Sequence, residues 1–488
     1  MTTKLTFYGG INEIGGNKIL LEDSGTKIFL DFGMSFGTAN RYFSEFLQPR
    51  KCNGLGDFIE FGLLPDLKGL YRNDYLKHMG KAQESLEYQG LLLSHAHADH
   101  ASYISHLHED LPIYCSEASY HILKAINDTS SGSFGDLTEF TTSFETYINR
   151  NGEISRKDAR QEGVVVERNY TRFNFGEKFR IDNLEIEPFE VDHSLAGATG
   201  YIIHTSDGTV VYTGDFRFHG RREKETRAFM MACEEAKPDV VISEGTRVEE
   251  TTSKTEAEVQ DEICNISTKS NGLSVCNWSI RDTDRMLSFL NAAKQMGKKL
   301  AISLKQAYLL DEIANCNKTL APNLNDNNLV LYANRKSWGL VGSSCDQRLL
   351  NGDYEKWERN YLGKAICYKD IKANPSEYLM FCSSFDLKEL IDIRPGKDSV
   401  YIKSVCEPFD QEMEIDWDRI KNWLNHFGLK IESTHVSGHA SGPQLKEFIT
   451  TVKPKILIPI HTENAGAFSN YWSNIKYLNQ FGETYTLN

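Results

Sequence analysis

Short apolar runs, each closed by glycine or a polar residue, fill the first half of the chain. Residues 4–8, 18–22 and 27–30 read as strands, punctuated by Gly9-Gly10, Gly15-Gly16 and Gly25. Leu91-Leu92-Leu93 reads as a buried strand, Ala101 to Leu107 as a helix, and Ile113-Tyr114 as a returning strand. Further strands are predicted near 164–168, 184–191, 200–204 and 209–213. Residues 36–90 are rich in Gly, Pro, aromatic and charged residues, and 128–163 are polar with little periodicity. Many short strands with few helices predict a layered sheet unit.

The texture changes after about residue 245. Ser253 and Glu256 form a candidate capping box for a helix to about Lys269. Strands at Leu273–Asn277, Lys299–Leu304 and Leu329–Tyr332 then alternate with helices at Asp282–Met296 and Gln306–Cys316. Alternation of this kind predicts a parallel sheet with helical crossovers. Strand-rich texture returns after about 375, at Glu377–Cys382, Ser399–Lys403 and Lys455–Ile460, with one helix at Trp417–Phe427. The simplest organisation is one domain interrupted by another: 1–245, an inserted 246–375, and a return over 376–488.

Composition adds limits. Charged residues are 25% and hydrophobic residues 40%, as in ordinary globular proteins. No apolar run approaches the roughly 20 residues of a membrane helix, and no apolar leader opens the chain. The ten cysteines are scattered with no CxxC pair, as expected of reduced thiols in a cytoplasmic protein. A net charge of −14 excludes a protein that coats nucleic acid through a general basic surface. It leaves room for a nuclease with a local positive groove, and bound cations would offset acidic ligands.

The densest chemistry lies in His95-Ala96-His97-Ala98-Asp99-His100, directly after the apolar run at 91–93. Imidazole suits zinc and other late transition metals, and carboxylate adds a hard ligand. In extended backbone His95 and His97 share a side, while Asp99 and His100 face a second position after the turn. The spacing fits two metals better than one. Other candidate ligands also end apolar runs: His193 after Phe189 to Asp192, Asp215 after Val210 to Gly214, and His461 after Ile456 to Ile460. Asp215 is the natural bridging carboxylate. His106, His108, His121, His204 and His219 lack such context and are expected to be structural or superficial.

Asp31, the 95–100 cluster, His193 and Asp215 resemble, in order and strand-end placement, the four successive motifs of the metallo-β-lactamase fold. About half the chain separates Asp215 from His461, and an insertion there resembles the β-CASP nuclease group. Three further motifs of that group are matched by Glu244 in Ser243-Glu244-Gly245-Thr246, His439 in His435-Val436-Ser437-Gly438-His439-Ala440, and His461 in Pro459-Ile460-His461-Thr462-Glu463. Gly9 to Asn17, Thr213 to Phe218 and the 437–461 stretch are most similar to the ribonuclease J family. The segment from about 40 to 90 is longer than expected. The C-terminal domain of many bacterial members and the KH-type domain of archaeal cleavage-factor relatives are expected to be absent.

The resemblance implies an α/β fold, a metallo-β-lactamase αββα sandwich with an inserted β-CASP parallel sheet and flanking helices. It implies two divalent ions, zinc or manganese: His95, His97 and His193 hold one, Asp99, His100 and His461 the other, and Asp215 bridges. Two such ions about 3.5–4 Å apart activate a water and neutralise charge on phosphorus. Asp99 also orients that water, His439 is the candidate acid held by Glu244, and Asp31 orients the cluster through hydrogen bonds. Ser384, Ser437 and Gly438 are candidate contacts to substrate phosphate, near a predicted helix start at Ser441-Gly442-Pro443. Arg217, Arg221, Arg222 and Arg227 could guide an RNA backbone. The expected partner is single-stranded RNA, including 5′-monophosphorylated RNA, with homodimeric assembly and no membrane. Exonuclease and endonuclease action both stay open, and the alternative is a thioester or lactone hydrolase of the same fold.

Overall fold

The computed structural model describes residues 2–44, 46–130, 135–156, 164–252, 254–316, 321–339, 341, 351–406 and 411–487. Two sheets face each other. The first has the order Tyr170–Phe173, Ile113–Ser116, Gly90–Leu92, Thr26–Phe32, Lys18–Asp23, Lys4–Phe7 and Glu483–Thr486. The second has the order Phe179–Ile181, Leu184–Glu190, Thr199–His204, Thr209–Tyr212, Val240–Glu244 and Ile456–Ile460.

Period-two alternation sorts their side chains between layers. Ile19, Leu21, Ile28 and Leu30 meet Ile186, Ile203, Val210 and Ile242 between the sheets. Leu20, Phe29 and Leu91 face the other way, against the helix Glu117–Thr129 and apolar residues of the 40–90 segment such as Leu63, Leu70 and Leu76. On the far side, Ile202, Val211 and Val241 pack on the helices Glu223–Ala236 and Gly442–Val452 through Phe229, Phe448 and Ile449. The result is the helix–sheet–sheet–helix sandwich that the resemblance implies.

A third sheet is wholly parallel, in the order Leu329–Tyr332, Lys299–Ser303, Tyr378–Phe381, Ser274–Trp278, Val400–Ser404 and Lys430–Ser433. This moves the expected return of the chain. The strands after 375 join this third sheet, and the second sheet is rejoined only at Ile456–Ile460. Buried parallel strands read as plain apolar runs in either unit, so the pattern at 377–403 could not say which sheet they enter.

Smaller differences have local causes. Ser253 lies outside the described residues. The helix Glu256–Thr268 is capped by Thr255, which exchanges hydrogen bonds with Glu258, and Glu256 is freed for another task described below. The helix expected at 101–107 is one α-turn, Ala98–Ala101, followed by the 3-10 segment Ser102–His106. Within 128–163, Glu139–Thr141 pairs with Val165–Glu167 and Thr146–Ile148 with Ile154–Arg156. These strands are short and largely exposed, so they carry no core-facing periodicity.

Candidate metal centre

The strands Thr26–Phe32 and Gly90–Leu92 run parallel, as do Thr209–Tyr212, Val240–Glu244 and Ile456–Ile460. Their carboxyl ends therefore open at one edge of the sandwich. Asp31 and Glu244 lie in the final positions of their strands, and the 95–100 cluster, Asp215 and His461 lie just past the ends of theirs. His193 arrives at the same edge from Leu184–Glu190. Close backbone approach tightens the arrangement: a Cβ on Gly33 would lie 1.7 Å from the Asp99 carbonyl oxygen.

Two donor sets include residues of the 95–100 cluster. His95, His97, His193 and Asp215 bring one ligand atom each within 4.8 Å of the others, and so do Asp99, His100, Asp215 and His461. In the first set, His97 Nδ1 lies 2.9 Å from His95 Nε2 and 3.0 Å from His193 Nε2. Three imidazole nitrogens in such contact can share few protons, and a cation satisfies all three lone pairs. Burial lowers His95 and His193 well below the usual histidine range and His97 to about 4, so all three rings are neutral and ready to ligate.

The second set is acid-rich. His461 Nε2 lies 3.1 Å from Asp99 Oδ2 and 3.7 Å from Asp215 Oδ2. His100 Nε2 lies 3.2 Å from Asp215 Oδ2 but makes no aligned hydrogen bond, and the buried Asp215 Oδ1 also lacks a partner. Burial opposes charge on His100, yet Asp215, Asp99 and Asp31 outweigh it and pull the ring well above the usual range. Burial likewise opposes charge on Asp215, and His100, His461 and His439 hold it well below the carboxylate range. Orphaned buried donors and a demand for positive charge are what a cation site requires. The residues present fit two ions that share Asp215.

Asp31 belongs to neither donor set. It accepts hydrogen bonds from the Ser94 N–H (2.6 Å), the Ser94 hydroxyl (2.7 Å), His100 Nδ1 (2.7 Å) and the Tyr212 hydroxyl (2.5 Å). It thereby fixes which His100 nitrogen points inward. Thr246 Oγ1 sits 2.8 Å from His461 Nδ1 and orients that ring in the same way. Ser94, Tyr212 and Thr246 were not legible as site residues, because they meet their partners only through sheet packing.

Glu244 is buried and lies 3.2 Å from His439 Nδ1, while Arg247 pairs with Glu250 instead. Burial works against charge on His439, but Glu244 and Asp215 overcome it and raise the ring to about 9. His439 therefore carries a proton at neutral pH. Its Nδ1 is also 3.8 Å from Asp215 Oδ2, so the ring stands beside the donor sets.

Other candidates fall differently. The backbone of Ser437 and Gly438 is engaged inside the protein: Arg217 donates to Ser437 O (3.1 Å), and His193 Nδ1 donates to Gly438 O (2.7 Å). His219, expected to be structural or superficial, is buried and donates to Ser437 O at 3.0 Å. Ser384 lies apart, lining a cavity of about 530 Å³ with Asn277, Arg281, Ser303, Lys305 and Ser383. That cavity opens at the carboxyl ends of the third sheet, against the helix Glu117–Thr129. The arginines do not form an exposed basic stripe. Arg217 and Arg222 are buried on Asp192 and Asp284, Arg221 bonds Ser288, and Arg227 pairs with Glu223 and Glu447. Acids from other segments, invisible in the local sequence, neutralise Arg217, Arg222 and in part Arg227.

The family described as "Zn-dependent metallo-hydrolase RNA specificity domain" matches residues 426–477, which include His439 and His461. Ribonuclease J 2 of Staphylococcus saprophyticus is 22% identical over 485 residues, 97% of this chain and 71% of that protein. Ribonuclease J of Pyrococcus abyssi is 23% identical over 475 residues, 94% of this chain and 90% of its own. A crystal structure of a protein of unknown function from Enterococcus faecalis V583 shares the fold over 100% of both chains, with a TM-score of 0.72 and 21% identity. The chain is ribonuclease J-like over nearly its whole length and carries, at 426–477, a match to the metallo-hydrolase RNA specificity domain.

Proposed function

We propose that this chain hydrolyses phosphodiesters of single-stranded RNA at a dinuclear metal centre. The observation that carries the reading is the pair of donor sets sharing Asp215, with a protonated His439 beside them. His95, His97 and His193 would hold one ion, Asp99, His100 and His461 the other, and Asp215 both. Bound there, zinc or manganese ions would supply an activated water and neutralise charge on phosphorus.

The chain's own residues do the rest. Asp99 orients the attacking water through the carboxylate oxygen that His461 does not engage. His439 gives its proton to the leaving ribose oxygen, and Glu244 holds the ring and stabilises its charged form. Asp31 keeps His100 in one tautomer and one orientation. RNA binding is supported by the cavity around Ser384. Arg281 lines it without an ion-pair or hydrogen-bond partner among the described residues, and Lys305 stands beside it. Lys336 in the same lining is paired with Glu358, and Ser383 donates to Asp386, which leaves Arg281, Lys305 and the Ser384 hydroxyl to meet a phosphate, including a 5′-terminal one. An RNA held there by its 5′ end would be trimmed in the 5′-to-3′ direction, and a strand threaded past it would be cut internally.

Among the described residues no helix is long and apolar enough to cross a membrane. The nine described cysteines are free thiols, which supports a cytoplasmic location. Homodimeric assembly belongs to the reading on the resemblance alone. Incubation with manganese or zinc and 5′-monophosphorylated RNA, labelled either internally or at the 5′ end, tests the function. Metal-dependent cleavage abolished by chelation is expected, and mononucleotides separate from fragments by product size. Turnover of thioesters or lactones with no RNA cleavage would overturn the reading.

A further inference from the structure

The loop that carries His439 joins the last strand of the third sheet, Lys430–Ser433, to the helix Gly442–Val452 of the sandwich. Its three carbonyls before His439 are each taken by a side chain from a different part of the molecule. Arg285 donates to Val436 O at 3.0 Å. Arg217 and His219 donate to Ser437 O at 3.1 and 3.0 Å. His193 donates to Gly438 O at 2.7 Å. Gly438 must be glycine, because a Cβ there would lie 2.7 Å from His193 Cε1.

The two arginines are also joined to each other. Both are fully buried, and both contact Glu256: Arg285 at 3.1 Å and Arg217 at 3.4 Å. Arg217 further pairs with Asp192 (3.2 Å), next to His193, and with Asp284 (3.0 Å), next to Arg285. Arg285 reaches the Ser404 carbonyl (3.1 Å) at the end of a third-sheet strand and His435 Nδ1 (3.1 Å). Glu256, Asp284 and Arg285 belong to helices of the inserted unit, while Asp192 and Arg217 belong to the sandwich. Neither arginine is in a metal-donor set.

Resting on the ribonuclease reading above, we propose that Arg285 and Arg217 are positioning residues. They clamp the Val436 and Ser437 carbonyls so that His439 meets the leaving oxygen only when the inserted sheet is seated on the sandwich. A planar fork suits this role, since one guanidinium serves several acceptors in fixed directions and an ammonium cannot. The clamp ties proton delivery, and not metal binding, to the inserted unit.

Arg285→Lys keeps the charge beside Glu256 and removes the fork. Four quantities are measured: metal per chain, melting temperature, kcat and KM on RNA, and kcat on bis(4-nitrophenyl) phosphate, whose leaving group departs without a proton. The expected result is unchanged metal content, a near-native melt, an RNA kcat reduced about 10- to 100-fold at constant KM, and aryl ester turnover within about twofold of wild type. Arg217→Lys is expected to behave likewise and carries the test if Arg285→Lys does not fold. Equal losses on both substrates, loss of metal, or no loss on RNA overturns the proposal. A wild-type chain that turns over the aryl ester but no RNA overturns the ribonuclease reading, and the proposal with it.

Discussion

The two donor sets share one carboxylate and otherwise differ in kind. One is three imidazoles, His95 and His193 buried and His97 partly so, neutral and crowded nitrogen to nitrogen. The other is two aspartates and two histidines, in which His100 is pulled toward its charged form. The difference teaches how one strand-end motif would serve two ions. The i, i+2 pair His95 and His97 meets His193, and desolvation there strips charge from the rings. Asp99 and His100, in the helical turn that follows, face the carboxylates. Binding at the imidazole set displaces few protons, whereas binding at the acid-rich set must displace the proton of His100.

The largest effect should come from Asp215→Ala, which removes the shared ligand. Both ions and all RNA cleavage are expected to be lost, as metal analysis beside an activity assay will show. Retention of both ions would separate the two sets and break the comparison. His97→Ala should empty the imidazole set and abolish turnover while the acid-rich set keeps partial metal occupancy. His439→Ala should leave two ions in place and slow RNA cleavage about 10²- to 10⁴-fold; metal loss would instead make His439 a ligand, since it lies with Asp215, Glu244 and His461 in a further donor grouping. Asp31→Asn should cost about 10- to 100-fold in affinity at the acid-rich set only.

The smallest effect is a difference in pH response. His97 is held down to about 4, so the imidazole set gains few protons as pH falls from 7 to 5. His100 is raised, so its proton competes with metal throughout that range, more strongly as pH falls. Dialysis at stepped pH followed by metal analysis should show the acid-rich ion leaving first. Simultaneous loss would mean that the two sets bind as one unit.

Legibility in the sequence followed distance along the chain. The 95–100 cluster, His193, Asp215 and His461 could be read because each sits directly beyond an apolar run, and strand ends gather at one edge. The sandwich was readable for the same reason. The clamp was not, because Arg285 meets Val436 across 151 positions, and locally it is one more charge on an amphipathic helix. The cavity around Ser384 was half readable: Ser384 was singled out, but Arg281 and Lys305 reach it from the ends of other third-sheet strands. The fate of the four arginines from 217 to 227 was not readable, since exposure does not follow from residue type and Asp284, which pairs with both Arg217 and Arg222, lies more than 60 positions on.

The central claim is that two ions share Asp215, and anomalous diffraction from crystals grown with zinc or manganese tests it most directly. Two peaks about 3.5–4 Å apart, with Asp215 between them, are predicted. A single peak, or a peak enclosed by Glu244 and His439 in place of the 95–100 cluster, would contradict it.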